Sequence, residues 1–226
     1  QSMEKNMSNY PTLFFGSHDM PRLKSRLAKN NSERAEALAA LMLTAKGVPF
    51  VYYGEEIGME NIEANSLDEM MDIQARTHYK IALKNGKPKE QAIKIGNDYN
   101  RGKSRSPMQW NDGKYGGFSN EKAWIKVNQN YIKLNVENLE KNKSSLLNKY
   151  KKLISLRNSE QVLQYGQYVQ LSFLNDLIMF TRSFNGERIK CYFNFGENSK
   201  EIILKKNETV LIGELKIEPN NYLIIK

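Results

Sequence analysis

The fold of this chain of 226 residues is indicated by one unbroken apolar run, Val48-Pro49-Phe50-Val51-Tyr52-Tyr53. Runs of this kind are typical of strands that are buried on both faces, as in parallel sheets. A second buried strand is predicted over residues 12–17, Thr-Leu-Phe-Phe-Gly-Ser. Between the two, apolar residues recur at helical spacing from Ser32 to Lys46, and Gly47 follows as a C-cap. A strand, a helix and a strand within about 40 residues predict a βαβ unit of a barrel or a doubly wound sheet.

The middle of the chain is predicted to combine helices with a long loop. Residues 68–95 have a helical pattern with a break at Asn85-Gly86-Lys87-Pro88, and a further helix is predicted over about 144–157. Residues 96–130 are rich in Gly, Asn, Asp and Ser, and a loop of that length is usually functional or disordered. Three large aromatic residues in it argue against disorder: Trp110, Phe118 and Trp124.

The hydrophobic period changes to two after Leu163, which predicts antiparallel strands. The predicted strands are 166–174, 177–184, 188–195, 201–204, 210–212 and 222–225. Asn185-Gly186 lies between two of them and is typical of a hairpin turn. We therefore divide the chain into a possible tag remnant (1–3), an α/β part (4–160, including the loop 96–130) and an all-β domain (161–226).

Composition excludes several classes of protein. Hydrophobic residues make up 40% of the chain, enough for a core, and no stretch approaches the roughly 20 apolar residues of a membrane-spanning helix. The net charge of +9 is spread over solvated helix and loop positions rather than gathered into a stripe with stacking aromatics, so we expect no nucleic-acid partner. The single cysteine, Cys191, excludes a disulfide framework and favours a cytoplasmic location. We expect no metal site and no cofactor.

Three polar segments are candidates for chemistry. Ser17-His18-Asp19-Met20-Pro21-Arg22 and Gly54-Glu55-Glu56 each directly follow a predicted strand, where active sites of α/β barrels lie. The third segment, Arg105-Ser106-Pro107-Met108-Gln109-Trp110, presents a guanidinium group that can bind a carboxylate or sugar hydroxyls. Taken singly, the first two segments are better explained by a structural turn or a cap, and the third is not distinguished from a surface arginine.

Together the segments resemble the C-terminal part of the α-amylase superfamily (glycoside hydrolase family 13). The resemblance is to its α-glucosidase branch, which includes oligo-1,6-glucosidase, dextran glucosidase and trehalose-6-phosphate hydrolase. The hexapeptide 17–22 is similar to the Asn-His-Asp-Gln-Pro-Arg segment after barrel strand seven, residues 47–59 to strand eight, and residues 105–112 to the Arg-(Ser/Thr)-Pro-Met-Gln-Trp-Asp loop. The resemblance covers nearly all of the chain from residue 10 onward. It implies the last part of a (β/α)8 TIM barrel, about strands seven and eight with their helices, followed by a small antiparallel β-sandwich.

The resemblance implies roles for three residues. Asp19 would be the carboxylate that stabilises the oxocarbenium-like transition state, and His18 and Arg105 would bind the glucose ring. The nucleophile and the acid/base of the family follow strands four and five, ahead of the matched stretch, so we expect the isolated chain to be inactive. Glu55 and Glu56 receive no catalytic role. The sequence departs from the family pattern at three places near the site: Ser17, Met20 and Gln74.

The implied function is that of a retaining α-glucosidase acting on short α-linked gluco-oligosaccharides of the isomaltose, maltose or trehalose-6-phosphate type. Two alternatives remain at this point. One is a non-catalytic relative that acts as a sugar-binding or partner module. The other is a transglucosylase of the sucrose isomerase or trehalose synthase type. We also expect self-association, because strands 12–17 and 48–53 would expose apolar barrel edges.

Overall fold

The computed structural model describes residues 10–226. The possible tag residues 1–3 lie outside the described part of the chain. The described residues form two compact units. The first unit contains residues 10–14, 31–50 and 149–226, and the second contains residues 15–30 and 51–148. None of the helices in the described residues is both long enough and apolar enough to cross a lipid bilayer.

The helices and strands are short, and the sheets are antiparallel except for one parallel pair. The helices are α1 (Leu23–Arg26), α2 (Ser32–Thr44), α3 (Ile73–Lys84), α4 (Lys89–Asp98), α5 (Val136–Lys141), α6 (Leu146–Ser159) and α7 (Gln161–Tyr165). The strands are β1 (Thr12–Leu13), β2 (Val48–Pro49), β3 (Gln167–Leu174), β4 (Leu177–Phe184), β5 (Glu187–Asn194), β6 (Lys200–Glu201), β7 (Val210–Ile212), β8 (Lys216–Ile217) and β9 (Asn221–Ile225).

The predicted βαβ unit is confirmed within the first unit. β1 and β2 pair in parallel, with Thr12 opposite Val48, and α2 connects them. The helix begins where predicted because the Asn31 side chain accepts a hydrogen bond of 2.6 Å from the backbone N–H of Arg34. Its buried face is rich in alanine and includes Leu38 and Met42, which agrees with the helical period in the sequence.

The prediction of two longer buried strands is wrong. Only Val48–Pro49 and Thr12–Leu13 form strands. Val48 and Phe50 are 48% and 55% exposed, although the sequence predicted burial on both faces. Within residues 10–226 the two strands form a sheet of their own, so each has a single hydrogen-bonded neighbour there and no second parallel strand continues the ladder. An apolar run indicates a strand, but whether the strand is buried depends on which strands lie beside it, and the hydrophobic pattern does not predict those.

Five of the six strands predicted in the C-terminal region are confirmed to within one residue at each end, whereas the predicted strand 201–204 is wrong, because only Lys200–Glu201 pairs there, with the short strand β8. β3, β4, β5, β9 and β7 form one five-stranded antiparallel sheet in that order, and β6 pairs with β8 in a separate two-stranded sheet. The hairpin between β4 and β5 turns at Asn185 (φ 49°) and Gly186 (φ 83°), as the Asn-Gly pair predicted. Ile217 of β8 packs with Leu223 and Ile225 of β9 in one apolar cluster. Strand β8 was not predicted, because two residues are too few to show an alternation of apolar and polar side chains.

A fully buried arginine connects α2 to the five-stranded sheet. Arg182, on β4, donates hydrogen bonds to the carbonyl oxygens of Thr44 (3.0 Å) and Ala45 (3.1 Å) at the end of the helix. It also donates to the carbonyl oxygens of Leu163 (2.5 Å) and Gly166 (2.8 Å). Burial lowers the pKa of Arg182 to about 10, and the charge of Arg157 contributes in the same direction. The guanidinium group therefore supplies donors to helix-terminal carbonyls that have no partner within their own helices.

The second unit contains the α3–α4 pair and the long loop. The predicted helical stretch is interrupted near Asn85–Pro88, as expected, but α3 begins at Ile73 rather than at residue 68. Asp72 determines this start, since its side chain accepts a hydrogen bond of 2.8 Å from the backbone N–H of Gln74. The loop 96–130 is ordered by short 3-10 turns, including Arg101–Ser104 and Lys114–Gly117. The short helix α5 beyond it was not predicted.

Candidate active site

The predicted transition-state stabiliser lies in a tight turn of the second unit. The backbone N–H of Met20 donates to the carbonyl oxygen of Ser17 at 3.2 Å, and the N–H of Asp19 donates to the Ser17 hydroxyl at 3.2 Å. This turn places Nε2 of His18 at 3.2 Å from Oδ2 of Asp19. Both side chains are exposed, so the pair is accessible to a ligand. Ser17, one of the departures from the family pattern, thus fixes the backbone of Asp19.

Arg105 reaches this turn from 86 residues further along the chain. Its Nη2 donates to Oδ1 of Asp19 at 2.9 Å, and its Nε donates to the carbonyl oxygen of His18 at 2.7 Å. The three residues singled out in the sequence, His18, Asp19 and Arg105, are therefore in direct contact. The double attachment orients the guanidinium group more firmly than a single surface ion pair would.

Arg101 is a further member of the site that sequence reasoning missed. Its Nη1 lies 3.4 Å from Oδ1 of Asp19, and its Nε donates to Oδ2 of Asp72 at 2.7 Å. The available signal was the spacing of Arg101 and Arg105, which places two guanidinium groups at the two ends of one short turn. The spacing indicates that Arg101 belongs to the site only once the structure shows that this turn faces Asp19.

Asp72 anchors this network in the interior of the unit. Burial alone would raise the pKa of the Asp72 carboxyl group, but the hydrogen bonds from Arg101 and from the backbone N–H of Gln74 outweigh it and lower the pKa. Asp72 therefore caps α3 and holds Arg101 at the same time. Gln74, another departure from the family pattern, contributes its backbone N–H to this cap.

Glu55 is buried and Glu56 is half-buried in the second unit. Glu55 is 2% exposed, and its Oε2 accepts a hydrogen bond of 3.4 Å from the backbone N–H of Tyr52. Burial raises the pKa of Glu55 to about 7, and it also raises the pKa of Glu56. A Cβ at Gly16 would lie 2.1 Å from Oε1 of Glu55, so glycine is required where the carboxyl group approaches the chain.

Arg22, at the end of the predicted hexapeptide, is a structural residue. It is almost fully buried, and its guanidinium carbon lies 4.5 Å from the ring centre of Tyr53 and 5.0 Å from that of Tyr52. It also donates a hydrogen bond to the carbonyl oxygen of Tyr53. Burial lowers the pKa of Arg22, although the neighbouring tyrosines and Glu55 act in the opposite direction. Cation–π contacts of this kind hold the segment that follows β1 in the sequence to the segment that follows β2.

The arrangement can bind a sugar ring and stabilise positive charge. Asp19 presents an exposed carboxylate whose two oxygens are oriented by His18 and by two arginines. A carboxylate that is fixed before the substrate arrives stabilises developing positive charge without further reorganisation. Among residues 10–226, no group of three or more histidine, cysteine, aspartate or glutamate side chains is arranged to hold a metal ion.

Polar side chains that directly follow strands of an α/β chain are typical positions for active-site residues. Comparison with known proteins identifies the family. The model of the α-amylase catalytic domain matches residues 1–166, and the chain belongs to the α-amylase family. Its fold is accordingly of the TIM-barrel type in that region.

Proteins to which the chain is similar include α-glucosidases and related enzymes. The oligo-1,6-glucosidase of Halalkalibacterium halodurans is 36% identical over 219 residues, which cover 92% of this chain and 39% of that protein. The solved trehalose-6-phosphate hydrolase of Bacillus licheniformis matches with a TM-score of 0.86 and 28% identity, over 99% of this chain and 44% of that one. The trehalulose synthase of Pseudomonas mesoacidophila matches with a TM-score of 0.85 and 28% identity, over 97% of this chain and 44% of that one. The chain thus spans less than half the length of the relatives it matches.

Proposed function

We propose that this chain supplies the glucose-binding and transition-state-stabilising part of a retaining α-glucosidase. The substrates are short α-linked gluco-oligosaccharides of the isomaltose, maltose or trehalose-6-phosphate type. The contact of Arg105 with both Asp19 and His18 carries the proposal, because it assembles three residues of matching role from segments far apart in the sequence. The relatives named oligo-1,6-glucosidase and trehalose-6-phosphate hydrolase support the same substrate class.

Asp19 would act on the charge of the reacting sugar. Cleavage of a glycosidic bond passes through an oxocarbenium-like state with positive charge on the ring. In the proposed mechanism the Asp19 carboxylate faces that charge, while His18 and Arg105 bind ring hydroxyls and keep the carboxylate oriented. Retaining enzymes also need a nucleophile and an acid/base, two carboxyl groups about 5–5.5 Å apart. We assign neither role to a residue of this chain.

The proposal is tested with 1-deoxynojirimycin, a glucose-shaped ring whose protonated nitrogen imitates the charge of the transition state. We expect the His18 ring signals in proton NMR to shift on titration. Asp19→Asn should weaken binding about tenfold, since it removes the charge that faces the cation. Asp98→Asn, at the exposed end of α4, is the matched control and should change nothing. Equal affinity of the Asp19→Asn variant and the unmodified chain would contradict the assignment.

An activity measurement tests the division of roles. We expect no release of glucose from isomaltose, maltose or trehalose-6-phosphate by the 226-residue chain, because the nucleophile and the acid/base are not assigned within it. Release of glucose that disappears in Asp19→Asn would show that both groups are present in the chain, and the proposed division would be wrong.

A transglucosylase is the second candidate, and the similarity to solved trehalulose and isomaltulose synthases favours it. These names imply isomerisation of a disaccharide instead of its hydrolysis. The products formed from sucrose distinguish the candidates, since a transglucosylase forms a new disaccharide and a hydrolase releases both sugars. A non-catalytic binding module is less well supported, because such a relative has no need to keep His18, Asp19 and Arg105 in contact.

Four further properties belong to the proposal. We place the domain boundary near residue 160 and expect the C-terminal sheets to form the two layers of a small β-sandwich. We expect a cytoplasmic location, which the single buried cysteine Cys191 supports. We expect neither nucleic acid nor a membrane as a partner. Self-association through the apolar β1–β2 edge is supported by the exposure of Phe14, Val48 and Phe50.

A further inference from the structure

Strand β3 is an open edge of the five-stranded sheet in the first unit. Within residues 10–226 it pairs only with β4, so no strand lies along the other side of its eight residues. Its apolar side chains are unusually exposed for a strand: Val169 is 55%, Phe173 69% and Leu174 65% exposed. An open edge of this kind is a template on which another strand can pair.

The opposite edge of the same sheet is protected against such pairing. Strand β7 has only three residues, its register with β9 is irregular, and Glu208 and Glu214 lie two residues beyond its ends. Short strands, irregularities and charges all prevent pairing between edges. By contrast, β3 lies within residues 161–175, which contain no charged side chain and no proline, although charged residues make up 26% of the chain. Its one irregularity, at Val169, leaves residues 170–174 regular.

The turn between β3 and β4 determines which backbone groups face the open edge. The turn consists of two residues, 175–176, and Leu174 lies opposite Leu177. In a two-residue hairpin the residues that flank the turn exchange hydrogen bonds, and hydrogen-bonded pairs then alternate with other pairs along the ladder. The backbone N–H and C=O groups of Leu171 and Phe173 therefore point away from β4, toward the open edge.

We propose that a second copy of this chain pairs with β3 in antiparallel orientation, centred on Ser172. In this register Leu171 of each copy lies opposite Phe173 of the other, and each of these two pairs exchanges two backbone hydrogen bonds. The half-buried side chain of Leu171 then meets the exposed ring of Phe173, which is a stabilising cross-strand pair. A second copy fits this edge because an uncharged segment meets its own sequence without burying a charge.

The dimer should be weak and dependent on protein concentration. Pairing of a single strand buries an area at the small end of specific interfaces, and each copy carries a net charge of +9. We expect a dissociation constant of about 10–100 µM, which salt should lower by screening the repulsion between copies. The inference is independent of the proposed function, and the β1–β2 edge belongs to a different sheet.

Disulfide formation between copies tests the register. Residues that face each other in a non-hydrogen-bonded pair have Cα atoms about 4.5 Å apart, a separation that a disulfide spans. Ser172→Cys should therefore form a disulfide-linked dimer when the 226-residue chain is treated with diamide, which oxidises two thiols to a disulfide. Gln170→Cys is the matched control, because it is more exposed than Ser172 but lies opposite Leu174 of the other copy. The native Cys191 is fully buried and should not react.

Sedimentation velocity over a concentration series measures the association itself. We expect the unmodified chain to change from monomer to dimer as its concentration rises. Phe173→Lys should raise the dissociation constant at least about tenfold, because it places a charge on the edge opposite an apolar side chain. Ile203→Lys makes the same change at a residue that is 91% exposed and lies outside β3, so it should associate like the unmodified chain. Circular dichroism checks that both exposed substitutions leave the fold intact.

Four results would overturn the proposal. They are a chain that stays monomeric at every concentration, association that Phe173→Lys leaves unchanged, an equal loss of association in Ile203→Lys, and equal disulfide formation at positions 170 and 172. Unchanged association in Phe173→Lys would assign the dimer to another surface, such as the β1–β2 edge. None of these results concerns Asp19 or sugar binding, so the proposed function would stand in each case.

Discussion

Replacing Glu55 with Gln is expected to stabilise the second unit increasingly as the pH rises. Glu55 is 2% exposed, and burial raises its pKa from 4.5 to about 7. The hydrogen bond from the Tyr52 N–H and the charge of Arg22 act in the opposite direction but do not cancel the cost of desolvation. A glutamine has nearly the same shape and carries no charge at any pH. The variant therefore removes the cost of ionising a buried carboxyl group.

The direction and size of the effect follow from proton linkage. Between pH 4.5 and about 7 the folded chain holds a proton on Glu55 that the unfolded chain has released, so the free energy of unfolding falls as the pH rises. The free energy of unfolding of the unmodified protein falls by about 3 kcal/mol in total. Little of this fall occurs below the pKa that Glu55 has in the unfolded chain. The free energy of unfolding of the Gln variant does not fall in this way. The difference in stability between the variant and the unmodified chain should therefore grow by about 3 kcal/mol between pH 4.5 and about pH 7.

Urea unfolding, monitored by tryptophan emission, measures this difference in stability for the second unit. Trp110 and Trp124, the only tryptophans, both belong to the second unit with Glu55. Unfolding curves for the variant and the unmodified chain are compared at about pH 4.5 and about pH 8, on either side of the interval given by linkage. Glu121→Gln, at an exposed position of the same unit, is the control and should show no such dependence. A stability difference that is the same at both pH values would refute the reasoning.

Substitutions at three further positions give independent tests. Asp72→Ala should lower the free energy of unfolding by about 2 kcal/mol and Asp72→Asn by about 1 kcal/mol, because Asn keeps the helix cap but loses the charge that holds Arg101. The Asp72 contribution should be present above about pH 4 and disappear as the pH falls through its lowered pKa, which acid titration of the two variants measures. Arg182→Met should cost about 3 kcal/mol or more in thermal unfolding, since it leaves buried carbonyl oxygens without donors, and Arg182→Lys should recover part of the loss. Gly186→Ala should cost about 1 kcal/mol from its positive φ alone, as nothing lies within 4 Å of the added Cβ, and urea unfolding of the sheet by circular dichroism checks this.

The local features of the fold were predictable from the sequence because short-range chemistry decides them. The turn at Asn185-Gly186 needs positive φ at both residues, and that pair adopts it readily. The break between α3 and α4 follows from Gly86 and Pro88, which no helix interior accommodates well. Burial of the run 48–53 was not predictable, since it depends on which strands lie beside β2 rather than on the run itself.

In the candidate site, too, the residues themselves could be predicted from short motifs, whereas the contacts between distant segments could not. Resemblance to a family identified His18, Asp19 and Arg105, but no period in the sequence places Arg105 beside a residue 86 positions earlier. Arg101 and Asp72 were missed because an arginine in a loop and an aspartate before a helix have ordinary structural explanations. Asp72 does cap α3, and its second carboxylate oxygen is what connects that cap to Arg101.

This connection gives the orientation of Asp19 a physical basis. Its Oδ1 receives two guanidinium groups, one of which is bound to the His18 backbone and the other to a buried carboxylate at the start of a helix of 12 residues. An exposed ion pair by itself contributes little and moves easily. Here each arginine is held at a second point, so the carboxylate is kept in one position by the turn 17–20 on one side and by α3 on the other. A group that must stabilise a short-lived charge benefits from that rigidity, because it has no time to reorganise.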